Sequence, residues 1–255
     1  MHAILLALMA LEVGAVTDLY QARDYKDASA DVASHVVEYR LLSPEKIEPG
    51  KRYPLVLFLH GAGERGDDNK SQLKYFPEWM AAPAMRAKYP CFILAPQCPN
   101  NEKWVDVPWD KSTSQPLPKN PSASMQHAIG MMDEIIKSEP VDEHRIYLTG
   151  LSMGGYGTWD LAMRMPERFA AIAPCCGGGD VTKADLLVHI PTFCYHGDAD
   201  PAVPVQRSRQ MIAAIRKAGG NPKYTELPGV GHDSWTRAYH DPDGIVPWMF
   251  EQVKK

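Results

Sequence analysis

Apolar residues along the chain fall into short continuous runs separated by longer stretches with helical spacing. Pro54–His60 (PLVLFLH) and Cys91–Pro96 (CFILAP) are apolar throughout, as strands buried on both faces of a parallel sheet are. Residues 35–42 alternate and predict a half-exposed strand. Residues 125–137 carry apolar side chains at helical spacing with Ser124 as N-cap, and 145–149 predict another strand. Further strands are expected over 169–175, 192–196 and 224–227, and helices over 205–218, ended by Gly219-Gly220, and 244–253. Strands alternating with helices predict an α/β fold with a mostly parallel, doubly wound sheet flanked by helices. No linker or repeat interrupts the pattern, so residues 21–255 are expected to form a single domain after an N-terminal segment, 1–20.

Composition narrows the function classes. At 255 residues, with 45% hydrophobic and 23% charged residues, the chain can bury one sizeable core. The net charge of −4 and the lack of a basic block argue against a nucleic-acid partner. No run of 18 apolar residues exists, so stable membrane insertion is not expected. Residues 3–11 form an apolar run of signal-peptide length, and Val13-Gly14-Ala15 could be a cleavage site. Export is the expectation on that ground. The alternative is an ordered N-terminal helix in a cytoplasmic protein, because no Lys or Arg precedes the run.

The five cysteines do not suggest a disulfide framework, since their number is odd. Cys91 and Cys98 flank one extended run, about 23 Å if straight, against the roughly 7 Å that a bridge tolerates. Cys175 and Cys176 are expected to be small packing residues, and no motif places a base beside any of the five.

Candidate chemistry centres on Gly150-Leu151-Ser152-Met153-Gly154-Gly155, a G-x-S-x-G sequence between a predicted strand and a helical stretch that stops at Pro166. A strand-to-helix turn of this kind leaves no room for side chains beside the serine and holds its hydroxyl above a helix N-terminus. A serine hydroxyl becomes a useful nucleophile only when an imidazole takes its proton and a carboxylate orients that imidazole. Such partners are expected on loops at the carboxyl ends of later strands. Asp198 and Asp200 follow one such strand, and either could instead cap the next helix. His232 follows the last strand, between Gly231 and Asp233, whereas His60 and His196 end strands and are expected to be structural. Leu59–Gly66 (LHGAGERG) is a glycine-rich turn able to aim a backbone N–H at a developing oxyanion, and the Met153 N–H would be a second donor. No G-x-x-x-x-G-K-[ST] is present, which disfavours a nucleotide loop.

Two features bear on substrate. The loop 99–122 is long and carries Trp104 and Trp109, which could stack on a sugar or an aromatic acid or could pin the loop to the domain. Trp235 is a third substrate-contact candidate. The segment 177–189 is too short for a large helical lid.

These four motifs, in this order over roughly residues 35–253, resemble the α/β-hydrolases of the phospholipase/carboxylesterase type, near the group of feruloyl and polyhydroxybutyrate-depolymerase-like esterases also labelled predicted peptidases. The resemblance implies an α/β-hydrolase fold without a large cap, Ser152 as nucleophile, His232 as base, and Asp200 rather than Asp198 as acid, from the pattern H-G-x-x-D-x-x-V-P. It implies Ala62 and Met153 as oxyanion donors. It also implies no cofactor or metal, and short-chain or aromatic-acid esters, small or polysaccharide-linked, as substrates. A serine peptidase or acyltransferase on the same scaffold is the alternative; a binding module without catalysis is disfavoured because every triad residue type is present.

Overall fold

The computed structural model describes residues 13–26 and 36–255. Its centre is an eight-stranded sheet in the order β1-β2-β4-β3-β5-β6-β7-β8. The strands are β1 (Gln21–Lys26), β2 (Val36–Leu42), β3 (Tyr53–Leu59), β4 (Phe92–Pro96), β5 (Val141–Leu151), β6 (Ala171–Cys175), β7 (Phe193–Gly197) and β8 (Lys223–Leu227). The β1–β2 and β2–β4 pairs are antiparallel and the remaining pairs parallel. The helices are α1 (Val13–Leu19), α2 (Phe76–Ala81), α3 (Pro83–Lys88), α4 (Ala123–Ser138), α5 (Met153–Arg164), α6 (Gln206–Lys217), α7 (Trp235–His240) and α8 (Ile245–Phe250). This is the α/β-hydrolase architecture, with no large cap among the described residues.

The two-residue period of a strand explains the two-sided core. In β3, Leu55, Leu57 and Leu59 face one apolar cluster, with side chains of α4, α5 and α6. Val56 and Phe58 face the other, with those of α1, α2, α7 and α8. Every β3 residue is buried, and each large side chain removed from water contributes about 1.5–3 kcal/mol.

Several boundaries differ from expectation. The strand expected over 145–149 runs from 141 to 151. The helix expected over 244–253 is shorter, and α7 precedes it, separated by Pro242 and Gly244. Strand β1 has no apolar signal because it is an exposed edge, paired on one side only. The apolar run 3–11 and His35 lie outside the described residues. The backbone of Val13–Ala15, a cleavage-site candidate by sequence, belongs to α1. After that helix, buried Tyr20 donates its hydroxyl to the Pro77 carbonyl. Among the described residues, no helix is long and apolar enough to cross a membrane.

The chain direction reverses at the sheet's centre. From β3 it moves outward to β4, then α4 carries it back across to β5 on the other side of β3. The loops leaving β3 and β5 therefore diverge, opening a crevice at their carboxyl ends.

Candidate active site

Ser152 stands in that crevice, between β5 and α5, with φ 54° and ψ −116°. Few non-glycine residues adopt this conformation. It is held by the Ser152 N–H, which donates to the Cys175 carbonyl, and by the Ser152 carbonyl, which accepts the Tyr156 N–H. The flanking glycines are required by contact. Leu59 of β3 lies opposite Gly150 of β5. A Cβ on Gly154 would sit 1.8 Å from the Leu59 carbonyl oxygen, and one on Gly150 2.5 Å from that of Gly154.

Asp200 comes from the loop after β7 and His232 from the loop after β8. His232 Nε2 lies 2.8 Å from Ser152 Oγ, and Nδ1 lies 2.7 Å from Asp200 Oδ2. With the Nδ1–H donated to the carboxylate, Nε2 is free to accept the serine proton. Asp198 is not part of this chain; its Oδ1 accepts the Gly229 N–H at 2.7 Å. The Asp200 side chain is fully buried. Burial alone would raise its carboxyl group, but the hydrogen bonds from His196, His232 and the N–H groups of Val203 and Ala202 outweigh that and hold it well below the usual range. His196 Nε2 sits 3.2 Å from Asp200 Oδ2 and 3.0 Å from the Val203 carbonyl, while Nδ1 faces Ser208 Oγ at 2.7 Å. Because its two Nε2 neighbours are acceptors, that nitrogen carries the proton, and His196 fixes the carboxylate from behind.

The turn after β3 supplies the remaining wall. Ala62 opens a short 3₁₀ turn and Met153 opens α5, so neither N–H has an intrahelical acceptor. A Cβ on Gly61 would meet Leu151 Cδ1 at 2.8 Å, so the two turns touch. Buried His60 braces the turn: Nδ1 donates to the Gly61 carbonyl at 2.7 Å and Nε2 accepts the Cys98 N–H at 2.9 Å. Burial depresses its pKa to about 4, so the ring is neutral near pH 7.

The tryptophans separate. Trp104, a substrate-contact candidate by sequence, is corrected to a core residue: it is 1% exposed and its Nε1–H donates to the His60 carbonyl at 3.0 Å. Its ring cannot meet a substrate because it is packed between His60 and α5. Trp109 is half-buried, its carbonyl accepts the Tyr156 hydroxyl, and Arg65 and Lys103 lie over its ring. The loop 99–122 is strapped down by Ser114 to Gly179, the Leu117 N–H to Asp180, and Arg164 to Pro118. Trp235 meets the His232 ring edge-on, with centroids 5.2 Å apart.

All five cysteines are free and buried. Cys176 is buried as expected but also lies near the candidate triad. Its Sγ lies within 4.8 Å of ligand atoms of both Asp200 and His232, so folding does place an imidazole beside a thiol. Burial pushes this thiol far up, which keeps it protonated and a poor metal ligand or nucleophile. Nothing in the local sequence marks it, because the neighbourhood is formed by three separate loops.

Residues 45–241 match the family model described as Phospholipase/Carboxylesterase. A solved thermostable esterase superposes with a TM-score of 0.85 at 39% identity, over 94% of this chain and 64% of that one. Acyl-protein thioesterase 1 of Neurospora crassa is 25% identical over 223 residues, 78% of this chain and 87% of that protein. The bifunctional acetylxylan esterase/xylanase of Neocallimastix patriciarum is 25% identical over 179 residues, 70% of this chain but only 24% of its own length. This chain thus spans about a quarter of that relative and under two thirds of the thermostable esterase. With the family model covering most of the described α/β sheet and the serine elbow at its centre, the chain belongs to the phospholipase/carboxylesterase family of α/β-hydrolases, a family of serine esterases and thioesterases.

Proposed function

We propose that the protein hydrolyses carboxylic esters through an acyl-enzyme on Ser152. The observation that carries this reading is the hydrogen-bonded chain Ser152 Oγ–His232 Nε2 and His232 Nδ1–Asp200, set at a strained elbow beside the Gly61-Ala62 turn. Ser152 attacks the ester carbonyl while His232 takes its proton. Asp200 stays ionised and stabilises the imidazolium. The carbonyl oxygen gathers negative charge facing the N–H groups of Ala62 and Met153. His232 then returns the proton to the departing alcohol. Water repeats the sequence on the acyl-enzyme, releasing the acid and free Ser152.

The substrates we propose are short-chain or aromatic-acid esters, acetyl and feruloyl among them, on small molecules or on polysaccharides. Support comes from 177–189, which holds only a short 3₁₀ helix over Val181–Leu187 and leaves the crevice without a lid. The Neocallimastix relative, an acetylxylan esterase/xylanase, points the same way. A thioester reading is favoured by one specific observation, the near full-length match to the Neurospora thioesterase. A peptidase or acyltransferase would use the same acyl-enzyme with a different donor or acceptor.

Ser152→Ala tests the core of the proposal. It should lower kcat by about 10⁴- to 10⁶-fold, and a fluorophosphonate probe should label Ser152 in the parent protein. Near-normal turnover, or labelling elsewhere, overturns it. A p-nitrophenyl ester series tests the acyl half: kcat/KM should peak at acetate or butyrate. A true long-chain site would instead gain up to about 0.8 kcal/mol per buried methylene and rise toward C12–C16.

A further inference from the structure

Tyr75 has features that no part of the triad explains. It precedes α2 with φ 63° and ψ −109°, a conformation that residues with a side chain rarely hold. Yet Tyr75 is 37% exposed, while its neighbour Phe76 is fully buried. The ring is directed at the site: it meets Trp235 edge-on at 5.5 Å, and Trp235 in turn meets the His232 imidazole at 5.2 Å. Burial and the nearby carboxyl groups of Glu64 and Asp233 raise the Tyr75 phenol. Glu64 belongs to the turn after β3 and Asp233 follows His232, so Tyr75 lies near both of these loops.

The chemistry of the reaction tells which half of the ester meets this wall. The departing oxygen must receive its proton from His232 Nε2, so it lies within hydrogen-bond reach of the imidazole. The group attached to that oxygen therefore lies near the His232 ring, which packs edge-on against Trp235, itself in edge contact with exposed Tyr75. We infer that exposed Tyr75, backed by the largely buried Trp235, forms the wall that holds the alcohol half of the ester, and that this wall selects neutral alcohols carrying an aromatic ring. Ring–ring contact supplies the preference. The carboxyl groups of Glu64 and Asp233 disfavour an anionic alcohol by like-charge repulsion. The inference rests on the acyl-enzyme reading above.

The test compares kcat/KM for benzyl acetate, ethyl acetate and ethyl phenylacetate in the parent protein, Tyr75→Ala and Tyr75→Phe. Tyr75→Ala should lower the benzyl acetate to ethyl acetate ratio by about 2- to 12-fold, the worth of one aromatic contact. Tyr75→Phe should keep that ratio within about twofold, since the ring remains. Should the alanine variant fail to fold, Tyr75→Gly, which accepts this φ, carries the same measurement. An unchanged ratio in the alanine or glycine variant makes Tyr75 merely structural and overturns the inference. A fall in the ethyl phenylacetate to ethyl acetate ratio instead assigns the wall to the acyl half and also overturns it. Failure of the underlying reading is recognised separately, by a Ser152→Ala variant that still turns over these esters.

Discussion

Ser152 and Tyr75 hold nearly the same rare backbone conformation, φ/ψ of 54°/−116° and 63°/−109°, each on the residue before a helix. At Ser152 the strain presents the hydroxyl to His232, and at Tyr75 it leaves the ring partly exposed against Trp235. Such strain costs about 1–3 kcal/mol per residue and persists only where the surroundings enforce it.

This strain predicts an inversion of the usual order of stability. At Ser152, glycine tolerates the observed φ while alanine does not. Ser152→Gly should therefore be more stable than Ser152→Ala by about 1 kcal/mol in urea unfolding, although both are inactive. Equal or reversed midpoints would mean the elbow relaxes once the hydroxyl is gone.

The two aspartates after β7 should behave very differently. Asp200→Asn removes the charge beside His232 Nδ1 and should lower kcat by about 10⁴-fold with little change in KM. Asp198 caps the Gly229 N–H at the surface, and asparagine can still accept that bond. Asp198→Asn should stay within about threefold of the parent kcat/KM. Steady-state kinetics on a p-nitrophenyl ester reads both.

His60 should make the protein acid-sensitive. Its folded pKa of about 4 lies below the unfolded value near 6.5, so between these pH values the unfolded chain binds a proton that the folded chain refuses. Its contribution is therefore complete above about pH 6.5 and is lost as pH falls toward 4, roughly 3 kcal/mol in all. Urea unfolding measured from pH 7.5 to 4 should show that slope, and His60→Gln should flatten it. Parallel slopes in the two proteins would refute the assignment.

Gly154→Ala should be among the most damaging single-methyl changes in the molecule. The added Cβ would overlap the Leu59 carbonyl oxygen at 1.8 Å, and neither a Cβ nor a backbone carbonyl can rotate away. A loss above about 4 kcal/mol, seen as an insoluble or unfolded protein, is expected. Gly63→Ala meets nothing within 4 Å and serves as the control, with a midpoint close to the parent.

Much of the fold is legible in one dimension because its signal is local. The continuous apolar runs of β3 and β4 announce strands buried on both faces, and the apolar spacing over 125–137 announces α4. The expected N-cap was Ser124, whereas the Ser122 hydroxyl accepts the Met125 N–H, a slip of two residues within a serine-rich approach to the helix. Strand β1 and helices α2, α3 and α7 escaped the pattern, being short, edge-placed or rich in polar and aromatic residues. Tertiary contact, not propensity, holds them.

The residue types of the candidate site were likewise readable: a serine between glycines, two aspartates after one strand, a histidine after another. What only the tertiary structure decided is which of them touch. Spacing favoured Asp200 over Asp198 only weakly, the family resemblance chose it, and the geometry puts only Asp200 against His232, with His196 behind it. Spacing could not tell that Trp104 would turn inward to hold His60, nor that Cys176 would lie beside Asp200 and His232. Nor could it show that Tyr75 would reach Trp235 across 160 residues of chain. Local sequence sets backbone preference and burial over a few residues. Which side chains meet is set by strand order and register, and those follow from how the whole sheet packs between its two layers of helices.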